Sequence, residues 1–178
     1  PLEAASRWNE ALEVGDSLAA HAERNAADGE AGDPVAALTA FLQDADTLIM
    51  KTDDLVEVLR YLRQTFPSIE RVTSYCRSRT AGHKTVDDLR RIQQAGLVRI
   101  HVGLESGCDE VLRFIRKGAT AAEHVKGGKR IVEAGISLCE YVMPGLGGRR
   151  WSREHALETA RVLNEINPDH IRLRTLSV

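Results

Sequence analysis

The feature that most constrains the fold is a beat: from residue 36 onward, apolar runs of strand length alternate with helix-period segments. Such alternation argues for an α/β protein in which a parallel sheet is built from strands joined by crossover helices. Five strands are expected, at residues 37–43 (ALTAFLQ), 70–76 (ERVTSYC), 98–104 (VRIHVGL), 136–142 (ISLCEYV) and 170–176 (HIRLRTL). "AGLVRI" at 95–100 and "AGISLC" at 134–139 are one device used twice, a helix that stops at glycine and turns straight into a strand. Roughly 30 to 40 residues separate strand starts, the length of a βα unit.

The intervening helices carry their own marks. Thr52 is expected to cap a helix with Leu55, Leu59, Leu62 and Phe66 on one face, Asp53 and Asp54 in its first turn and Pro67 past its end. Thr85 opens the next, with Leu89 and Ile92 inward and Gly96 as its left-handed stop. Thr120 and Glu123 have capping-box spacing ahead of Val125, Ile131 and Val132, Gly135 repeats the stop, and Ser152 begins a last helix that Asn167-Pro168 closes. Upstream, residues 6–27 read as one more helix bearing Trp8, Leu12, Leu18 and Ala22 near one face, and 28–34 (DGEAGDP) read as a polar linker. The division is therefore an N-terminal helix and linker over 1–35 and a core over 36–178. A helix ahead of the first strand implies a strand ahead of that helix, so the chain, which starts at Pro1, reads as an excerpt of something longer.

Composition sets outer limits. With 178 residues, 43% of them apolar, one compact domain can bury a core. Twenty-four basic against 26 acidic residues leave a net charge of −2, so no whole-protein field advertises nucleic acid or an anionic membrane. No apolar run approaches the roughly 20 residues of a membrane helix, and a cytoplasmic location is the expectation. Cys76, Cys108 and Cys139 are odd in number and far apart, which argues against a disulfide framework and for buried small apolar residues.

In "VRIHVGLE" a period of two sorts Val98, Ile100, Val102 and Leu104 onto one face and Arg99, His101, Gly103 and Glu105 onto the other. "HIRLRTL" likewise sets Ile171, Leu173 and Thr175 against Arg172, Arg174 and Leu176. A parallel strand buried under helices on both sides should be apolar throughout. A half-polar one suits a curved sheet around a wet lumen, as in a partial (β/α) barrel, whose ligands collect at the C-terminal strand ends. Glu105, "QDAD" at 43–46 and "MPGLGG" at 143–148 all fall there. Plainer readings stand beside the functional one. Glu105 could cap the helix starting near Cys108, His101 could be a hydrogen-bonded interior residue, and Asp44 and Asp46 could begin a turn. The glycines of "GLGG" are a loop signal of low specificity, and Lys117 could be a solvated residue near a helix end.

Taken in order, "FLQDADTL", "VRIHVGLESGCDEVLRFIRKG" and "EAGISLCEYVMPGLGG", each at a strand end, resemble the radical S-adenosylmethionine superfamily, most closely its elongator-like and methylthiotransferase-like branch. The resemblance covers nearly all of 36–178, and its middle segment is the most specific part. It implies a six-stranded partial barrel of which five strands, the second to the sixth, are present. It also implies S-adenosylmethionine bound across the strand ends and a [4Fe–4S] cluster that reduces it to a 5′-deoxyadenosyl radical. Gln43, Asp44 and Asp46 would stand where the family meets the methionine ammonium with Gly-Gly-Glu, although the glycines are missing here. Glu105, with Ser106 beside it, would contact the nucleoside or methionine part, and Lys117 would pair the methionine carboxylate. Tyr141 and Gly145 would border the adenine, and Gly103 would leave room for the ligand.

The departure lies in the cluster loop. The family holds its cluster with CxxxCxxC after the first strand, because close thiolates must grip three irons, and no such spacing occurs in this sequence. The expectation is a fragment of a radical enzyme's catalytic domain, inactive as it stands, with an unidentified substrate. The alternative is a stand-alone βα-barrel domain that uses its arginine-rich inner face for an anionic small molecule. A lyase or aldolase lacks support, since no Schiff-base lysine sits at a strand end. Without a first strand, 37–43 would expose an edge carrying neither lysine nor proline, so self-association there or cover by residues 6–27 is expected.

Overall fold

The computed structural model describes residues 38–43 and 46–174. Strands β1 (Leu38–Leu42), β2 (Ile69–Cys76), β3 (Leu97–Glu105), β4 (Ser137–Val142) and β5 (His170–Leu173) form one sheet, paired in chain order and parallel throughout. Unbroken chain order is what a curved βα-barrel sheet produces, whereas a doubly wound sheet reverses direction at a switch point. Each expected strand is present. The last is described as His170–Leu173, with the Arg174 N–H still donating to the Val142 carbonyl at 2.8 Å, and positions 175–176 of the expected strand lie outside the described residues. The expected helix at 6–27, the linker at 28–34 and Asp44 lie outside the described residues.

Six helices connect the strands: α1 (Thr52–Thr65), α2 (Ser78–Ala81), α3 (Val86–Ala95), α4 (Asp109–Phe114), α5 (Ala121–Glu133) and α6 (Ser152–Ile166), with a 3₁₀ turn at Thr47–Ile49. Thr85 caps α3 by accepting the Asp88 N–H at 3.0 Å. Thr120 and Glu123 close a reciprocal capping box on α5, with bonds of 3.2 and 2.8 Å. The expected Thr52 cap is corrected: Lys51, in an extended conformation, precedes α1, and Thr52 is already its first helical residue. A hydroxyl inside the first turn is not aimed back at the free N–H groups, and that of Thr52 accepts the Lys84 ammonium at 3.3 Å. Gly96 and Gly135 stop their helices at φ of 127° and 79°, a region costly to residues with a Cβ.

The core lies between the sheet's outer face and the helices. Ile100, Val102 and Leu104 of β3 and Leu138 of β4 are buried against helical residues such as Leu59, Leu89, Ile92, Ile131 and Val162. Each fully buried side chain of this kind contributes about 1.5–3 kcal/mol relative to exposure. In α1, Leu55 and Leu59 are fully buried while Leu62 and Phe66 sit half-buried at the margin. The alternate residues of β3, namely Arg99, His101, Gly103 and Glu105, are half-buried on the other face. One face is thus committed to packing, which leaves the inner face free to hold polar groups at the strand ends.

Candidate functional site

Glu105 ends β3 with φ at 61°, a left-handed conformation uncommon for a residue with a side chain. That geometry costs about 1–2 kcal/mol, and three features define it. The β3–β4 register shifts between Gly103 and Glu105. The Ser106 N–H turns back to the Leu104 carbonyl at 2.7 Å, and the Glu105 carbonyl accepts the Met143 N–H at 3.1 Å. The strand is therefore pinned to the loop after β4 while the carboxylate turns inward.

Lys117 meets it there, its ammonium 3.3 Å from a Glu105 oxygen, with both side chains about a quarter exposed or less. They are 12 residues apart, and the chain returns through Arg116 and Gly118, both at positive φ. Gly103 makes room for the pair. A Cβ there would collide with the Glu105 carboxylate and come within 2.9 Å of the Lys117 ammonium.

A cavity of about 900 Å³ opens beside the pair, lined in part by Asp46, Tyr75, His101, Gly103, Glu105, Lys117 and Tyr141. Tyr75, His101 and Tyr141 contribute rings to its lining, 5.7 Å from Tyr75 to His101 and 5.8 Å from His101 to Tyr141 between centroids, and Phe41 packs against Tyr75 at 4.9 Å. Burial, aided by the charges of Arg99, Arg172 and His170, holds the His101 imidazole below its usual pKa. Burial also raises the Tyr75 phenol. Asp46 reaches the cavity margin while its carboxylate accepts the Arg77 N–H at 3.1 Å and the Thr80 hydroxyl at 2.5 Å, fixing the turn into α2.

Of the residues singled out from sequence, Asp46, Glu105, Lys117 and Tyr141 meet at this cavity. Gln43 is exposed at the end of β1 and Gly145, at φ 88°, sits in the turn after β4; neither lines it. Ser106 is fully buried outside it, its hydroxyl accepting the Cys108 N–H at 3.0 Å and lying 2.9 Å from His155 Nδ1. His155 Nε2 is 3.1 Å from the Met143 carbonyl, which can only accept, so Nε2 carries the proton and Ser106 donates to Nδ1. Ser106 thereby ties the loop after β3 to α6, and through His155 to the loop after β4. Thr159 adds a bond from the Gly107 N–H at 2.9 Å. This tie was not read from the sequence; its only trace there is a polar pair four residues apart on one face of α6. The helix-cap reading of Glu105 is also corrected. Cys108 precedes α4 without a side-chain cap, and the Cys108 N–H is satisfied by Ser106 instead.

The three cysteines are buried, and burial raises each thiol. Among the described residues, no three His, Cys, Asp or Glu side chains converge as a metal site, and no helix is long and apolar enough to cross a membrane.

The model of the Radical SAM superfamily matches residues 36–161. A tRNA uridine(34) acetyltransferase from Methanocaldococcus jannaschii is 25% identical over 80 residues, covering 45% of this chain and 13% of that protein. Coproporphyrinogen III oxidase from Escherichia coli superposes with a TM-score of 0.59 at 17% identity, over 74% of this chain and 30% of that one. Elp3 from Methanocaldococcus infernus gives 0.59 at 12% identity, over 78% and 36%. These solved structures share the fold, and the chain spans little more than a third of their length or less. A stand-alone anion-binding barrel is not favoured by the family match. The strand order, the cavity at the strand ends and the match over most of the chain agree: the protein belongs to the Radical SAM superfamily, whose cofactors are S-adenosylmethionine and a [4Fe–4S] cluster.

Proposed function

We propose that the strand-end cavity binds S-adenosylmethionine and that the intact protein is a radical enzyme whose reaction is unassigned. The observation that carries this reading is the Glu105–Lys117 pair above Gly103. S-Adenosylmethionine presents an ammonium, a carboxylate and ribose hydroxyls within one molecule, and a partly buried pair of opposite charges can exchange its internal contact for two charge-assisted bonds to such a ligand. Lys117 would take the carboxylate, Glu105 the ribose hydroxyls or the ammonium, and Tyr141 would border the adenine. Asp46 would stand near the ammonium; Asp44 and Gln43 belong to the same segment. Ser106 would act by holding Glu105 through its backbone, and Gly145 through the turn that follows Met143.

The donors for the cluster do not fit. Cys76, Cys108 and Cys139 are buried with raised thiol pKa values, and CxxxCxxC is absent from the 178 residues. A cluster would need thiolates supplied from outside this sequence, and the chain alone is expected to be inactive. A reducing, cytoplasmic setting suits its three unpaired cysteines.

Calorimetry with S-adenosylmethionine and with 5′-methylthioadenosine, which lacks the amino-acid end, tests the assignment. Lys117→Ala should weaken S-adenosylmethionine by about 1.5–3 kcal/mol and leave 5′-methylthioadenosine unaffected. Equal weakening of both would move the amino-acid end away from Lys117.

A further inference from the structure

The inner face beside β5 holds a second group of charges that the cavity above does not use. Arg99 of β3 and Arg172 of β5, with Arg174 just past it, surround Tyr141 and His170. Arg172 donates to the Tyr141 hydroxyl at 3.3 Å, and its guanidinium lies 6.0 Å from the centre of that ring. The Arg174 guanidinium lies 5.1 Å from the same ring. Arg99 bonds Ser137 at 3.2 Å and lies 2.8 Å from the His170 ring nitrogen. Helix-surface arginines such as Arg79, Arg91 and Arg161 reach carboxylates. Among the described residues, none of these three inner-face arginines does.

We propose that this face is a subsite for a small anion in which a carboxylate or phosphate is joined to a planar unsaturated group. Three guanidiniums on one face, with no neutralising carboxylate among the described residues, repel one another, and a ligand anion relieves that repulsion while matching their planar fork of donors. The planar part has a platform in Tyr141, whose ring continues into His101 and Tyr75. Burial first, and then the charges of Arg99, Arg172 and His170, hold the His101 imidazole below its usual pKa. Tyr141 and His101 also line the 900 Å³ cavity, so an anion seated here would lie next to that cavity's occupant. Its role as the enzyme's substrate rests on the proposed function; the subsite does not.

Ligand-observed NMR on the chain, with 4-hydroxybenzoate, phenyl phosphate and neutral 4-hydroxybenzamide as probes, tests the subsite. Both anions should bind, in whichever order, and the amide at least about tenfold more weakly. Whichever anion binds more tightly names the ligand's charged group. The double variant Arg172→Gln/Arg174→Gln, on exposed side chains, should lose at least about tenfold in anion affinity, whereas Arg161→Gln should lose none. Equal binding of the amide, or no loss in the double variant, would overturn the proposal. So would a short oligonucleotide that binds more tightly than phenyl phosphate and is lost in the same double variant, for the face would then be a nucleic-acid surface. Loss of S-adenosylmethionine binding with anion binding intact would count against the proposed function alone.

Discussion

Glu140 offers a quantitative test of how the sheet is packed. It alternates with Leu138 and Val142 on the outer face of β4, is fully buried under the helices, and both its carboxyl oxygens lack a partner. Desolvation pushes its pKa from 4.5 up to about 8, with Lys117 opposing the rise and Glu105 adding to it. A carboxyl raised in the folded state keeps its proton where the unfolded chain has lost it, so its contribution to stability falls as pH rises from 4.5 towards 8. At about 1.4 kcal/mol per pH unit, the loss across that window is of order 3–5 kcal/mol. His124, with both ring nitrogens unpartnered and its pKa lowered by burial to about 4, acts in the opposite sense. Its term raises stability between pH 4 and 6.5, so the two offset one another up to 6.5 and Glu140 acts alone above it. Glu140→Gln keeps the shape and removes the titration. Urea unfolding followed by circular dichroism should show the variant about 3 kcal/mol more stable than the parent at pH 8 and nearly equal to it at pH 5. The same difference at both pH values would refute burial of an unpartnered carboxyl at this position.

Gly103→Ala should abolish the Glu105–Lys117 contact and weaken S-adenosylmethionine binding at least about tenfold, read by calorimetry, because the added methyl occupies the pair's space. His155→Ala should cost about 1–3 kcal/mol in urea unfolding by leaving the Ser106 hydroxyl and the Met143 carbonyl without their partner, and it should speed amide exchange in both loops. Anaerobic reconstitution of the chain with iron and sulfide should give no four-iron cluster; a stoichiometric one ligated by Cys76, Cys108 and Cys139 would overturn the placement of the cluster ligands outside this sequence. At the β1 edge, light scattering should report a dimer, or amide exchange should report protection across 37–43; a monomer with unprotected amides there would refute both expectations.

The beat of strands was legible because glycine stops and apolar runs are local signals, and the inward turn of β3 was legible because a period of two separates Ile100 and Val102 from His101 and Glu105. The meeting of Glu105 with Lys117 was not, since it depends on the positive-φ turn at Arg116–Gly118, and nothing about Arg116 announces that conformation. The Ser106–His155 bond spans 49 positions and exists only once α6 docks against the sheet. α2, at four residues, is barely one helical turn, too short for its apolar positions to recur. Thr52 misled because a capping residue type one position inside a helix looks the same in sequence as one that caps it.

The central claim is that the charge pair at the end of β3 holds the amino-acid end of S-adenosylmethionine. A crystal structure of the chain with S-adenosylhomocysteine at saturating concentration tests it most directly. The account predicts the ligand's carboxylate within hydrogen-bond reach of Lys117 Nζ, Glu105 turned to the ribose hydroxyls or the ammonium, and the adenine against the loop after β4. A ligand seated away from the strand ends, with the Glu105–Lys117 contact intact, would contradict it.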